Sequence, residues 1–517
     1  MNITRRSAIG LLAGTVPAIR LTAQPSGIEI TKGPFTGTRE SLKAYRVPDW
    51  YRDAKFGIWA HWGPQSAAEY GDWYARNMYM EGSRQYKYHV QTYGHPSKFG
   101  FKDVIATWKA DKFDPDYLMQ LYRKAGARYF CSMAVHHDNF DLWNSKYQPR
   151  WNAVASGPKK DILGMFRKAA LKQGMKFAVS EHLSNSYNWF STSHGSDKSG
   201  PNAGVPYDGT DPNYADLYHD LPKDFDIAKA PAMGRNVPDS WKLQYFRRIK
   251  DLIDQVQPDL LYTDGAIPLE EYGLSLVAHL YNSSAGRHGG KVEAVYTSKG
   301  RQDAEQGLCV LDFERGLAGG ISPNPWQTDT CIGTWHYNKE AKYKTPKLVI
   351  DMLVDIVSRN GNLMLNFPLP NSGMLDSEEL KILAEITKWM GVNSEAIYGT
   401  RPWKIFGDGP VAAAPAPTGG RGGAFNERNR KDLTADEVRF TTKGSTLYAF
   451  VMGWPEKEAV IKPLATNSPQ NAGKIKNVQL LGFKGKLKFT QDAAGLKVRM
   501  PSQKPCDHAV TLKIIGA

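Results

Sequence analysis

The feature that most constrains this chain is a unit that recurs between about residues 51 and 398. An amphipathic stretch ends at a glycine, a short apolar run follows, and the run stops at polar residues. Residues 117–125 have helical spacing, end at Gly126, and lead to the run 129–135 and then His136-His137. Residues 161–173 end at Gly174 and lead to 176–180 and Glu181-His182. Residues 241–256 lead to 260–263 and Asp264-Gly265, and the run 56–60 leads to His61-Trp62-Gly63. Helices alternating with short strands imply a parallel sheet. The expected fold class is α/β, with a (β/α)8-like barrel. All strand C-termini of such a barrel open on one face, and that face carries the chemistry. His61, His136, His137, Glu181, His182 and Asp264 should therefore converge, although they are far apart in sequence.

The rest of the chain frames this unit. Residues 1–23 read as an export signal, with a basic start containing Arg5-Arg6, a short apolar stretch, and small residues before Gln24. The pattern resembles a twin-arginine signal and predicts a periplasmic or secreted protein. Residues 30–400 form the expected barrel domain. Asp376, with Glu379 three residues later, predicts the cap of its last helix. Residues 407–424 are rich in Gly, Pro and Ala and read as a linker. Beyond Glu437, short alternating segments at 438–440, 447–451, 478–481, 487–489 and 510–514 predict a C-terminal antiparallel β-sandwich within 401–517.

Charge and cysteine content exclude several function classes. The formal net charge is +14, but it is spread without a basic block of the kind that tracks phosphates, which argues against nucleic acid. No apolar run of 18 residues follows the leader, so no membrane insertion is expected. Cys131, Cys309, Cys331 and Cys506 form no CxxC pair, so no zinc ribbon or redox motif is expected.

Two carboxylates stand out. Asp264 follows an apolar strand, and Gly265 lets the chain turn away without crowding a ligand. An ionised Asp there can attack a sugar's anomeric carbon, while the plain alternative is an Asp-Gly turn. Glu314 could be the second carboxyl group of a retaining glycosidase, roughly 5–5.5 Å from the first. Its plain alternative is a loop salt bridge with Arg315. His136 and His137 are neighbours, and alternation along a strand points them to opposite faces, which disfavours a shared metal. Hydrogen bonding to sugar hydroxyls suits them better, with one of the pair open to a packing role. Trp59, Trp62, Trp73, Trp335 and other aromatics near these loops could stack on sugar faces or simply fill the core.

These motifs together resemble the α-L-fucosidases of glycoside hydrolase family 29. The resemblance runs through the opening strand before His61-Trp62-Gly63, the loop Asp72-Trp73-Tyr74, and Ala134-Val135-His136-His137-Asp138. It continues through Tyr262-Thr263-Asp264-Gly265, Asp312-Phe313-Glu314-Arg315-Gly316, the loop holding Trp326-Gln327-Thr328-Asp329-Thr330 with Trp335-His336-Tyr337, and the stretch 354–363. It implies a barrel with a C-terminal β-sandwich and release of terminal α-L-fucose, with retention, from a fucosylated oligosaccharide or glycoconjugate. It also implies no metal and no cofactor. Asp264 becomes the nucleophile and Glu314 the acid/base. His61, His136, His137 and Trp335 become fucose contacts, and Trp62, Asp72, Trp73, Glu181 and Tyr262 join them as substrate-binding residues. Asp72 stands where many relatives carry Glu, Asn139 where Gly is common, and Tyr262 where Trp is common. Gln327 replaces a Glu found in some relatives, which favours Glu314 as the proton donor.

Other readings stay open at this point. They are a related glycosidase for another sugar such as a galactoside, a metal-dependent barrel hydrolase using His61, His136 and His182, and a glycan-binding protein without catalysis. Residues 194–240 could shape the leaving-group site, form a lid, or pack as an insertion. The C-terminal domain is expected to brace the barrel. The sequence sets no oligomeric state.

Overall fold

A computed structural model describes residues 27–516 apart from 235, 415–426, 428–429 and 471–472. The proposed leader and most of the Gly/Pro-rich linker lie outside the described residues. Eight strands form a closed parallel barrel in chain order. They are β1 (Phe56–Ala60), β2 (Tyr129–Val135), β3 (Lys176–Glu181), β4 (Leu260–Thr263), β5 (Val295–Ser298), β6 (Val310–Glu314), β7 (Trp326–Cys331) and β8 (Gly361–Asn366). Pairing of β1 with β8, Phe56 opposite Leu363 and Trp59 opposite Asn366, closes the ring.

Local signals set the helices around it. Asp114 accepts a hydrogen bond from Tyr117 N (2.9 Å) and Pro115 opens helix Pro115–Lys124, whose Leu118, Met119 and Tyr122 are buried. Asp161 caps helix Ile162–Lys172 through Gly164 N. Asp376 and Glu379 form the expected capping box of helix Ser377–Asn393. Close packing also fixes Gly57 on β1: a Cβ there would lie 2.2 Å from the Tyr129 ring on β2.

The second unit starts with β9 (Arg401–Asp408), the outer strand of a five-stranded antiparallel sheet. Its other strands are β10 (Val438–Lys443), β11 (Thr446–Val451), β13 (Asn477–Leu480) and β16 (Val510–Ile515). A second sheet holds β12 (Glu458–Ile461), β14 (Phe489–Asp492) and β15 (Gly495–Arg499). Phe440, Val451, Ile461, Leu496 and Val498 from the two sheets share one core. The sandwich is tied to the barrel through charge. Asp355, on barrel helix Pro346–Ser358, meets Arg439 Nε of β10 at 2.7 Å, Arg359 at 3.2 Å and Arg430 at 3.4 Å. Trp389 Nε1 also donates to Ala509 O across the junction.

Three sequence expectations change. Glu314 is the last residue of β6, not part of a loop, and its partner is Lys299 rather than Arg315. Residues 326–331 form β7 rather than a loop. Both strands read poorly because the upper barrel interior there is lined by polar residues. The segment expected at 487–489 is shifted, with β14 beginning at Phe489.

Candidate active site

The polar ends of the strands enclose a cavity of about 590 Å³ at the C-terminal mouth of the barrel. Trp59, His61, Asp72, Trp73, His136, His137, His182, Tyr262, Asp264, Lys299, Asp312, Glu314, Asp329 and Trp335 are among its lining residues. Asp264 stands one residue past β4, and Gly265 turns the chain with φ +118°. Lys299, one residue past β5, donates its backbone N–H to Gly265 O at 2.8 Å. This bond couples the two loops and brings the lysine beside the aspartate.

The Lys299 ammonium joins the two carboxylates. Its Nζ donates to Asp264 Oδ1 at 2.8 Å and to Glu314 Oε2 at 2.6 Å, with Asp329 Oδ2 at 3.8 Å. Those two oxygens therefore lie no farther apart than the two contacts placed end to end. Burial pushes the Asp264 carboxyl up, but Lys299 and the His182 and His137 rings outweigh it and hold it well below the usual carboxylate range. Glu314 moves the other way: burial raises it, Lys299 opposes, and the Asp329 and Asp264 carboxylates raise it further. Two carboxyl groups on one lysine are thus pushed apart in acidity, the arrangement that separates a nucleophile from a proton donor.

Histidines line the opposite wall. Burial lowers His61, His136 and His182 well below the ordinary imidazole range, so these rings are neutral. Gln65 Oε1 accepts from Ala75 N (3.3 Å), which turns its Nε2 to donate to His136 Nδ1 at 2.8 Å. The neutral His136 ring then carries its proton on Nε2. His336 Nδ1 donates to Asp72 Oδ1 at 2.7 Å, and His137 Nδ1 donates to His182 O at 2.6 Å. Both ring nitrogens of His61 and of His182, and His336 Nε2, are buried without a hydrogen-bond partner among the described residues. His61 and His182 line the cavity, and their unmet ring nitrogens call for a polar ligand there.

Most of the sequence-derived residues meet here. Asp264, Glu314, His61, Asp72, Trp73, His136, His137, Tyr262 and Trp335 all line the cavity. Two do not. Trp62 is fully buried away from it, packed on Trp108 and Phe113 and donating Nε1 to Pro370 O. Glu181 is buried and accepts from Thr263 Oγ1 (2.7 Å), Tyr245 Oη (3.0 Å) and Leu183 N (3.0 Å), so it ties β3 to β4 rather than facing the cavity. The opposite-face argument for His136 and His137 also fails. β2 ends at Val135, so both residues lie beyond the pleat and face the same cavity.

Sequence reasoning missed Lys299, Asp312 and Asp329 as cavity residues, and Met233 from the 194–240 segment also reaches the rim. Trp73, Asn139 and Arg315 all adopt positive φ, at 57°, 63° and 47°. At Asn139 that left-handed backbone is one that most side chains adopt only under strain. It also explains why position 139 suits Asn or Gly. The four cysteines are unpaired.

A metal can be tested against these residues. Ligand atoms of His61, Asp72, His136 and His336 lie within 4.8 Å of one another, as do those of His136, His137 and His182. His136 belongs to both sets, yet its inward nitrogen bears the proton and cannot coordinate a cation in that tautomer. The donor set fits hydroxyl groups better than a metal ion.

The comparisons agree with this geometry. The family described as Alpha-L-fucosidase matches residues 22–395, and the Alpha-L-fucosidase C-terminal domain matches residues 430–515. The chain belongs to the α-L-fucosidase family. These are glycoside hydrolases that release fucose, classed as family 29. Tissue alpha-L-fucosidase of Mus musculus is 26% identical over 503 residues, covering 93% of this chain and 94% of that protein. The Homo sapiens tissue enzyme is 25% identical, covering 93% of this chain and 92% of that protein. The crystal structure of Thermotoga maritima alpha-fucosidase shares the fold with a TM-score of 0.71 at 23% identity, covering 93% of this chain and 100% of that one. A Bacteroides thetaiotaomicron α-L-fucosidase structure gives a TM-score of 0.61 at 18% identity, covering 94% of this chain and 98% of that one.

Proposed function

We propose that this fucosidase releases terminal α-L-fucose from glycans by double displacement with retention. The observation that carries this is the Lys299 bridge. It keeps Asp264 Oδ1 and Glu314 Oε2 within the roughly 5–5.5 Å separation of retaining glycosidases and short of the roughly 6.5–9.5 Å that leaves room for an inverting enzyme's water. Asp264 attacks the anomeric carbon as the bond from that carbon to the leaving oxygen breaks. Glu314 gives its proton to the leaving oxygen. Water then attacks the same carbon, Glu314 takes the water's proton, and the bond to Asp264 breaks. Lys299 holds Glu314 Oε2 as an acceptor, which leaves Oε1 to carry the proton toward the leaving group. The neutral histidines and Asp72 supply donors and acceptors for sugar hydroxyls, while Trp59, Trp73 and Trp335 offer ring faces.

The twin-arginine-like leader supports a periplasmic or secreted location, where glycans with terminal fucose would be met. The test is release of nitrophenol from 4-nitrophenyl α-L-fucoside, with EDTA present, by wild type, Asp264→Ala and Glu314→Ala. Wild type should turn over, and Glu314→Ala should lose about 10²–10⁴-fold. Asp264→Ala should be inactive while its melting curve stays near that of wild type. Azide should restore Asp264→Ala by forming a fucosyl azide of inverted configuration. A folded Asp264→Ala protein with near-wild-type turnover would remove Asp264 from the mechanism.

A further inference from the structure

Beneath the acid/base sits a second pair of carboxyl groups that the reaction scheme does not use. Asp312 lies two residues before Glu314 on β6, and Asp329 lies on β7 opposite Glu314 in register. Both are fully buried. Gln327 Nε2 donates to Asp312 Oδ1 at 2.8 Å, and Tyr262 Oη donates to Asp329 Oδ2 at 2.9 Å. The remaining oxygens, Asp312 Oδ2 and Asp329 Oδ1, are buried without a donor among the described residues. Asp312 is in register with Gln327, two residues before Asp329, so the two carboxyl groups sit as diagonal neighbours on the inward face of adjacent strands. One proton between them satisfies both orphaned oxygens at once. Two charged carboxylates so placed would repel strongly.

We propose that Asp312 and Asp329 hold one shared proton, carried by Asp312, and that the charge left on Asp329 is the positioning element that keeps Glu314 in its acid form. The proposal rests on Glu314 being the acid/base. The donors divide in the required sense: Asp329 receives the Tyr262 hydroxyl and lies 3.8 Å from the Lys299 ammonium, whereas Asp312, which feels Lys299 from farther off, accepts from the neutral Gln327 amide among the described residues. Burial and then the facing Asp329 carboxylate push Asp312 far above the usual carboxylate range. The groups facing Glu314 are Asp264 and Tyr262 of the β4 end, Lys299 of the β5 end, Asp312 and Arg315 of its own strand, and Asp329 of β7. Lys299 and Arg315 favour the glutamate anion. Asp264 and Asp329 oppose them, and Asp329 does so without touching the sugar's reaction centre in the scheme above.

The experiment compares kcat/KM against pH for wild type, Asp329→Asn and Asp312→Asn. Asp329→Asn removes the negative charge beside Glu314, so the alkaline limb should move to lower pH by about one unit or more. Asp312→Asn mimics a neutral acid that still donates to Asp329, so its limbs should stay where wild type places them. Infrared difference spectra between wild type and Asp312→Asn at neutral pH should also show the loss of a protonated carboxylic acid band. An unmoved alkaline limb in folded Asp329→Asn overturns the proposal. An Asp312→Asn profile displaced as far as that of Asp329→Asn, or no acid band, overturns it too. Glu314→Ala is the control. Its loss should be far greater on a phenyl fucoside than on the dinitrophenyl fucoside, whose leaving group needs no proton. Equal losses would remove Glu314 as the acid and this inference with it.

Discussion

Replacing Lys299 by methionine keeps much of the side chain's length and removes the one ammonium that touches both carboxylates. At 2.8 Å and an effective dielectric near 20, its attraction to Asp264 is about 6 kcal/mol before any desolvation is counted. Burial of the lysine offsets part of that, and the His137 and His182 rings still face Asp264 at 3.6 and 3.5 Å. The net displacement expected for a carboxylate that loses a close cation is about 1–3 pH units, or about 1.4–4 kcal/mol. The direction is the same for both carboxylates. In wild type, Lys299 lowers Asp264 and also opposes the rise of Glu314. Without it, Asp264 needs a higher pH to ionise, and Glu314 keeps its proton to a higher pH. Both limbs of the kcat/KM profile on 4-nitrophenyl α-L-fucoside should therefore move to the alkaline side together. A profile that only drops in height, with both limbs in place, would refute the bridge as the electrostatic control of this site. A profile whose limbs moved in opposite directions would refute it as well.

Other perturbations follow from the same contacts. Gln65→Leu removes the donor that fixes the His136 tautomer, so KM should rise about 5–150-fold, for about 1–3 kcal/mol, with a smaller change in kcat; steady-state kinetics at one pH separates the two. Arg248 is fully buried, donates Nε to Asp141 Oδ2 at 3.2 Å and also holds Asn139, so Arg248→Met strands a buried carboxylate and should cost about 3–5 kcal/mol in urea unfolding. Asp355 gathers Arg439, Arg359 and Arg430, which outweigh burial and hold its carboxyl well below the ordinary range. Its contribution is therefore present above the unfolded value of about 4 and is lost only as pH falls through the lower folded value. Asp355→Asn should lower the melting temperature at neutral pH and bring that of wild type and variant together in strong acid.

How much of this was legible in the sequence depended on what each strand faces. β1 to β4 are runs of apolar residues that end in polar ones, so both strand and lip could be read, and Asp264 with them. β6 and β7 carry Asp312, Glu314, Gln327 and Asp329 into the barrel interior, and no apolar pattern marks a strand whose buried side is acidic. Lys299 follows the four-residue strand Val295–Ser298, and nothing in that segment distinguishes it from a surface lysine. Trp62 and Glu181 were misplaced for one shared reason. Each is next to a cavity residue, His61 or His182, but its own side chain turns to a different packing surface. For Trp62 that face holds Trp108 and Phe113, and for Glu181 it holds Thr263 and Tyr245.

The cavity joins two walls with different electrostatic tasks. On one, the Lys299 ammonium and four carboxyl groups set the proton positions that bond cleavage needs, and burial makes each charge count. On the other, burial strips His61, His136 and His182 of charge, while Gln65 sets the His136 tautomer and Asp72 and a backbone carbonyl orient His336 and His137. Neutral rings present fixed donors and acceptors to an uncharged sugar. Asp72 lines this wall itself and accepts from the buried His336 Nδ1 at 2.7 Å, which holds its carboxylate in place at the cavity.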